Sequence, residues 1–191
     1  DGIGVDYSMM MTRTMTFTTE NFPDNRMGLD MVDMLIISNY RIRDLSEDQS
    51  RTLVEWVRNG GIMVLGTGMR VDDTLGRFAP ELLEQSYDAP QVEQISMGAE
   101  YDQEGPSDAD LEIPCVKFLL SGGTVIQSDE SRTLLATVPY SQGIIAVAAY
   151  DLTDIEGFCI QNPSFMDHVL TQIIGETRLS RLAEEVYSGD S

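Results

Sequence analysis

A glycine-rich turn and one threonine are the first residues whose types suggest chemistry. Gly66-Thr67-Gly68 follows the apolar run Ile62–Leu65, so its backbone N–H groups could face a bound anion. The same glycines also suit a plain turn after a strand. The Thr67 hydroxyl is a weak nucleophile unless an adjacent base activates it. Three arginines lie close enough in sequence to assist an anion site: Arg41, Arg43 and Arg70.

The same turn is one border of a predicted ligand crevice. Loops that follow neighbouring parallel strands lie side by side at the carboxyl ends of those strands, where open α/β sheets bind ligands. Topology therefore predicts a small-molecule or protein-binding crevice bordered by Asn39, Tyr40, Gly66, Thr67, Gly68 and Asp151. A hydrolase using Thr67 with Asp151, with or without a metal ion, is the enzymatic alternative.

Other reactive side chains are interpreted as structural. Cys115 and Cys159 lie in apolar segments, where free cysteine usually behaves as a small buried hydrophobe. A disulfide between them, or a reactive thiol, stays open. The single histidine, His168, lies in a predicted helix and is expected to be structural or exposed.

Acidic clusters near residues 72–73, 108–112 and 151–156 supply oxygen atoms but lack the spacing of a calcium loop. We therefore predict no catalytic residue, no metal and no cofactor, and we expect these clusters to be solvated loops.

Charge and composition exclude other classes of protein. The 191 residues carry 12 Lys+Arg against 32 Asp+Glu, a net charge of −20, which repels nucleic-acid phosphate and anionic lipid. Hydrophobic residues make up 42% and charged residues 23%, which is ordinary for a globular domain. No apolar run reaches the ~20 residues of a membrane span. Nucleic-acid binding and direct membrane insertion are therefore not expected.

The first half of the chain predicts a strand–helix–strand unit. Val32–Ser38 and Ile62–Leu65 have the apolar character of buried parallel strands. Between them, Ser46 and Gln49 have the spacing of a capping box, and Asn59-Gly60-Gly61 suits a helix end. A strand is also predicted at Tyr7–Thr18.

The second half predicts an antiparallel extension and terminal helices. A helix is expected over Thr74–Gln85. Strands are predicted around 92–97 and at 113–119, 124–127, 133–138 and 144–150, with turns after 119, 127 and 138 that suit hairpins. Asn162-Pro163 is a good start for a helix, and C-terminal helices are expected over about 163–188.

The run DMLIISNYRIRDLSEDQSRTLVEWVRNGGIMVLGTGMR resembles the core of class I glutamine amidotransferase-like domains, and GIIAVAAYDLTD resembles their late strand. The likeness covers Leu29–Arg70 and Gln142–Asn162 well. It implies an α/β fold, a flavodoxin/Rossmann-like three-layer sandwich with a parallel core sheet and an antiparallel extension. It is closest to variants embedded in exported or membrane-anchored bacterial proteins.

Departures from that family argue against catalysis. Active members place a nucleophilic cysteine in the turn where this chain has Thr67, and a His-x-Glu pair where it has Asp151. The resemblance therefore implies a catalytically degenerate domain.

Taken together, these patterns predict one α/β domain over 1–191, cut from a longer chain. We expect it to bind or scaffold within a larger bacterial cell-envelope protein, anchored through other parts of that protein. An oligomerisation module, with this chain as a homo-oligomer, is a further alternative.

Overall fold

A mixed five-stranded sheet forms the centre of the computed structural model, which describes residues 34–38, 41–98, 110–130 and 132–175. The strands are β1 (Met34–Ile37), β2 (Ile62–Leu65), β5 (Thr124–Asp129), β6 (Arg132–Tyr140) and β7 (Gly143–Ala148). They are arranged in the order β1-β2-β7-β6-β5, and the pairs β1–β2 and β2–β7 are parallel. The pairs β7–β6 and β6–β5 are antiparallel, which confirms the predicted parallel core with an antiparallel extension.

The first helix, α1 (Glu47–Arg58), joins β1 to β2 as the sequence predicts. The Ser46 hydroxyl accepts from the backbone N–H of Gln49, and the Gln49 side chain accepts from the backbone N–H of Ser46. This capping box satisfies two backbone donors that a helix start otherwise leaves free. The apolar side of α1 then packs Leu53 and Val57 fully into the core.

Side chains of the sheet alternate between two cores. On one face Leu35, Met63 and Ile145 pack with α1 and with the turns that follow β2. On the other face Val64 and Ala146 pack with a separate two-stranded ribbon, β3 (Gln91–Ser96) and β4 (Asp110–Cys115), and with two later helices. These helices are α3 (Glu156–Gln161) and α4, which is helical over 164–175. The layers are those of an α/β sandwich.

One predicted helix is wrong. Residues 74–85 form a short 3₁₀ turn at Leu75–Arg77 and a single turn of helix, α2 (Ala79–Leu82), instead of one long helix. Pro80 lacks the N–H that would continue a helix from the preceding turn. The Thr74 hydroxyl also donates to the Gly66 carbonyl at 2.7 Å, so this segment is held to the end of β2.

The predicted hairpin between 113–119 and 124–127 is also wrong. Strand β4 ends at Cys115 and pairs antiparallel with β3, whereas β5 pairs with β6. The backbone N–H of Val116 donates to the carbonyl of Ala149, which leads the chain across the end of β7. The predicted strand at 7–18 and the helix that would continue to 188 lie outside the described residues.

Strand β5 is an outer strand with an irregular register. Among the residues that the structure covers it pairs with β6 alone, and the register shifts between Val125 and Gln127 and again between Gln127 and Ser128.

Gly143, at the start of β7, provides a test of this packing. A Cβ there would overlap the Val57 carbonyl oxygen and lie 2.5 Å from the Gly61 carbonyl oxygen. We expect Gly143→Ala to lower the free energy of unfolding by about 3 kcal/mol or more, since both neighbours are backbone atoms that cannot move aside. The measurement is denaturant unfolding followed by circular dichroism.

Gly157→Ala is the matched control, because a Cβ at Gly157 in α3 meets nothing within 4 Å. Alanine is the better helix former, so stability should rise by up to about 1 kcal/mol. Equal effects of the two substitutions would contradict the close packing of β7 on the end of α1.

Candidate functional site

The three parallel strands end at one edge of the sheet, and a hydrogen-bond network joins these ends. Ser38 follows β1, Gly66 follows β2, and Asp151 follows β7 after two residues. The Ser38 hydroxyl donates to Asp151 Oδ1 at 2.8 Å and accepts from the backbone N–H of Leu152 at 2.8 Å. We call this the Ser38–Asp151 clasp. It connects β1 to β7, which are separated in the sheet by β2.

One oxygen of the Asp151 carboxylate, Oδ1, accepts several hydrogen bonds from within the protein. Besides Ser38, its Oδ1 accepts from the backbone N–H of Thr153 at 2.9 Å and from the Thr153 hydroxyl at 2.8 Å. Asp151 is only 6% exposed and caps the 3₁₀ turn Leu152–Ile155. Three donors on one oxygen hold the carboxylate in a fixed orientation.

The two glycines at the end of β2 are required by close approach. A Cβ at Gly66 would overlap the Ser38 hydroxyl. Gly68 has φ +58, and a Cβ there would lie 2.9 Å from the backbone nitrogen of Asp151. Both glycines therefore leave space for the clasp. Of the two roles that the sequence allows for this turn, plain turn geometry and anion binding, these close contacts favour the first.

Thr67 faces the interior. It is 0% exposed, and its hydroxyl donates to the carbonyl of Ala148 at 2.6 Å. Its backbone N–H donates to the carbonyl of Tyr150 at 2.9 Å, which continues the β2–β7 pairing. The hydroxyl is therefore committed to the sheet and has no surface through which a substrate would reach it.

An anion site is not assembled around this turn. Arg43 and Arg70 both contact the carboxylate of Asp73, at 3.0 and 3.3 Å, and Arg41 lies 3.8 Å from Asp44. The backbone N–H of Gly66 donates to the carbonyl of Ile37. The three arginines and two of the turn's N–H groups are therefore already paired within the protein.

The crevice end of β7 is also acidic. Partial burial, helped by the charge of Asp151, raises the pKa of Asp154 above its usual range. Negative charge here opposes the binding of an anion.

The structure thus brings Gly66, Thr67, Gly68 and Asp151 together at one edge. Asn39 and Tyr40 lie outside the described residues. Sequence reasoning missed Ser38, although a serine that ends an apolar strand beside a predicted crevice is a signal that could have found it.

The remaining candidates form no reactive site. Both cysteines are free, and burial raises the pKa of Cys115 and of Cys159 to about 11, so neither is a reactive thiolate near neutral pH. His168 is exposed on α4. Within the described ranges no group of three His, Cys, Asp or Glu side chains is placed to hold a metal ion. No helix there is both long and apolar enough to cross a membrane.

A second concave region lies farther along the same edge. It is a groove of about 690 Å³ between the β3–β4 ribbon and the β5–β6 turn. Because β6 runs opposite to β7, the β5–β6 turn lies at the same edge as Ser38 and Asp151. The lining residues are Gln94, Ile95, Ser96, Asp110, Lys117, Phe118, Leu119, Asp129, Glu130, Arg132 and Thr133. Sequence reasoning did not predict this groove.

Known structures share this fold. The cytoplasmic protein STM3548 from Salmonella typhimurium aligns with a TM-score of 0.60 and 16% identity, over 81% of this chain and 76% of its own. The cytoplasmic protein STM1381 from Salmonella typhimurium LT2 aligns with a TM-score of 0.54 and 16% identity, over 80% and 76%.

The exo-beta-1,4-mannosidase Op5Man5 from Opitutaceae bacterium strain TAV5 aligns with a TM-score of 0.49 and 14% identity, over 75% of this chain and 25% of its own. No protein-family model matches the chain, and no curated protein matches it. The first two similarities establish the α/β fold.

The clasp is tested by Ser38→Ala. The substitution leaves the N–H of Leu152 without its acceptor and removes one donor from a buried carboxylate, so the free energy of unfolding should fall by about 2 kcal/mol. Ser128→Ala on the exposed side of β5 is the control, with an expected change within about 0.5 kcal/mol. Urea denaturation of both variants measures the difference, and an equally small effect at Ser38 would show that the clasp does not stabilise the fold.

Proposed function

We propose that this chain is a non-catalytic, amidotransferase-like binding or scaffolding domain of a larger bacterial cell-envelope protein. The observation that carries the proposal is the state of Thr67, whose hydroxyl is buried and donates to Ala148 at 2.6 Å. A nucleophile must be reachable by its substrate and must have a base within hydrogen-bond distance of its proton.

The amidotransferase-like part of the proposal is supported by where the resembling segments lie. Leu29–Arg70 contains β1, α1 and β2, and Gln142–Asn162 contains β7 and α3. Strands β2 and β7 pair in parallel at the centre of the sheet. The turn at Thr67 and the late Asp151 therefore meet at the edge where the family places its reactive groups.

The non-catalytic part is supported by what has replaced those groups. Where the resemblance expects a cysteine there is a buried threonine, and where it expects a base there is a carboxylate that accepts three hydrogen bonds on one oxygen. The Thr67 hydroxyl and Asp151 Oδ1 both form hydrogen bonds that connect segments at this edge of the sheet. No contact in the described residues favours the alternative of a hydrolase using Thr67 and Asp151.

An oligomerisation module is a weaker alternative. The large exposed apolar side chains, Met69, Val92, Leu119, Val125 and Ile160, are distributed over a 3₁₀ turn, β3, the segment after β4, β5 and α3. Apolar residues scattered singly are normal on a monomer.

The cell-envelope location rests on the sequence resemblance alone and stays a prediction. The two Salmonella proteins that share this fold are described as cytoplasmic proteins. Because a fold does not determine function, these descriptions leave the location of this chain open.

Assays of amide and ester hydrolysis test the lack of catalysis. The purified chain should release no ammonia from glutamine and no nitrophenol from p-nitrophenyl acetate above the level of Thr67→Val. The isosteric valine removes only the hydroxyl and should lower the free energy of unfolding by about 1 kcal/mol, because a buried hydrogen bond is lost.

Asp151→Asn serves as a second comparison, since the amide keeps the shape of the carboxylate. The non-catalytic assignment would be overturned if the native chain showed turnover and either substitution abolished it. Circular dichroism must show that the variant is still folded.

A further inference from the structure

We propose that the groove between the β3–β4 ribbon and the β5–β6 turn binds a small zwitterion, a molecule carrying both a carboxylate and an ammonium group, such as a free amino acid or a short peptide. The inference deepens the proposed binding function and rests on it. It also moves the binding site along the sheet edge, away from the clasp.

The groove has the size and the rigidity of a binding site. Its volume of about 690 Å³ lies within the range of small-molecule pockets, about 300–1,000 Å³. Three polar contacts join its walls. The backbone N–H of Ser96 donates to Asp129 Oδ2 at 2.7 Å, and Arg132 donates to Glu93 Oε2 at 2.8 Å and to the Gln94 carbonyl at 3.4 Å. These contacts hold ribbon and turn together before any ligand arrives, which lowers the entropic cost of binding.

One lysine provides the cationic side. Lys117 is the only lysine among the 191 residues, and it is exposed in this groove. Its ammonium group has no ion-pair partner in the described part of the chain, whereas Arg132 is paired with Glu93. Its backbone is fixed, because its carbonyl accepts from the N–H of Asp88 and the preceding N–H donates to Ala149.

Two carboxylates provide the anionic side. Asp110 and Glu130 line the same groove and are exposed, and neither forms an ion pair or hydrogen bond within the described residues. Opposite charges thus face one groove without pairing with each other. A ligand that places its carboxylate on Lys117 and its ammonium on an acidic residue satisfies both.

A ligand with a single charge would match fewer of the charged side chains in the groove. A plain anion would meet Asp110 and Glu130 in a chain of net charge −20, and a plain cation would meet Lys117. The half-buried ring of Phe118 and the half-exposed Leu119 add a small apolar surface. This surface suits the carbon backbone or a short side chain of an amino acid or peptide.

Titration followed by ¹H–¹⁵N NMR tests the proposal on the whole chain. The probes are glycine, diglycine and triglycine, with acetate and methylammonium as single-charge controls at the same ionic strength. We expect saturable shifts around 94–96, 110, 117–119 and 129–133 with the zwitterions, and weaker binding of both controls. The length that binds best distinguishes a free amino acid from a peptide.

Lys117→Met should weaken binding about tenfold, since it removes a charge-assisted contact, while Lys117→Arg should retain most of the affinity. Arg51→Met, on the exposed side of α1, is the matched control and should change nothing. Acetate binding as tightly as the zwitterions, no effect of Lys117→Met, or no shifts at the groove would each overturn the assignment. Hydrolytic turnover is measured separately, so failure of this proposal and failure of the non-catalytic assignment are distinguishable.

Discussion

The hydrogen bond from Ser38 to Asp151 is the interaction on which the carboxyl edge of the sheet depends. It joins two strands that are not neighbours, and it passes over Gly66 because that residue has no side chain. The same carboxylate oxygen accepts from Thr153 and so starts the turn that leads into α3. One serine hydroxyl thereby holds the end of β1 to the segment after β7, while Thr67 holds the end of β2 to the same segment.

That arrangement uses polar groups at the edge of the sheet. In open α/β sheets this edge is where ligands usually bind, because strand ends leave polar groups free. Here the Ser38 hydroxyl, Asp151 Oδ1 and the Thr67 hydroxyl form hydrogen bonds with one another's segments. A concave, polar surface lies farther along the same edge, where the antiparallel strands turn.

Local patterns predicted the parallel half of the fold well. The capping box at Ser46 and the glycines after Asn59 define α1 with bonds that span three or four residues, so the sequence window contains the whole signal. The prediction of one long helix at 74–85 failed because a proline and a contact to a residue outside this segment decide the backbone there. The buried side chains Leu75, Phe78 and Leu82 have helical spacing, but Pro80 and the tie from Thr74 to Gly66 decide the backbone. Strands were predicted around 92–97 and at 113–119, but their pairing as the β3–β4 ribbon was missed because pairing between strands has no local mark.

In the candidate site, too, features set by local sequence were predicted and contacts between distant residues were not. The strand ahead of Gly66 and Gly68 was predicted to be parallel, and the family resemblance related Asp151 to the same edge. The parallel pairing of β7 with β2 was not predicted, because the strand at 144–150 was assigned to the antiparallel extension. Topology did not pair Ser38 with Asp151, because 113 positions separate them and a single serine carries no motif. The groove was further out of reach, since its lining comes from four segments that meet only in the fold.

The uneven register of β5 has a consequence for the protein in concentrated solution. An outer strand with free N–H and C=O groups is a template on which other chains can assemble into extended aggregates. Two register shifts within the four residues from Val125 to Ser128 twist the strand and interrupt its row of donors and acceptors, so an incoming strand finds only short matching stretches. Within the described part of the chain, the exposed Val125 therefore lies on an outer strand whose irregular shape disfavours the pairing of a further strand.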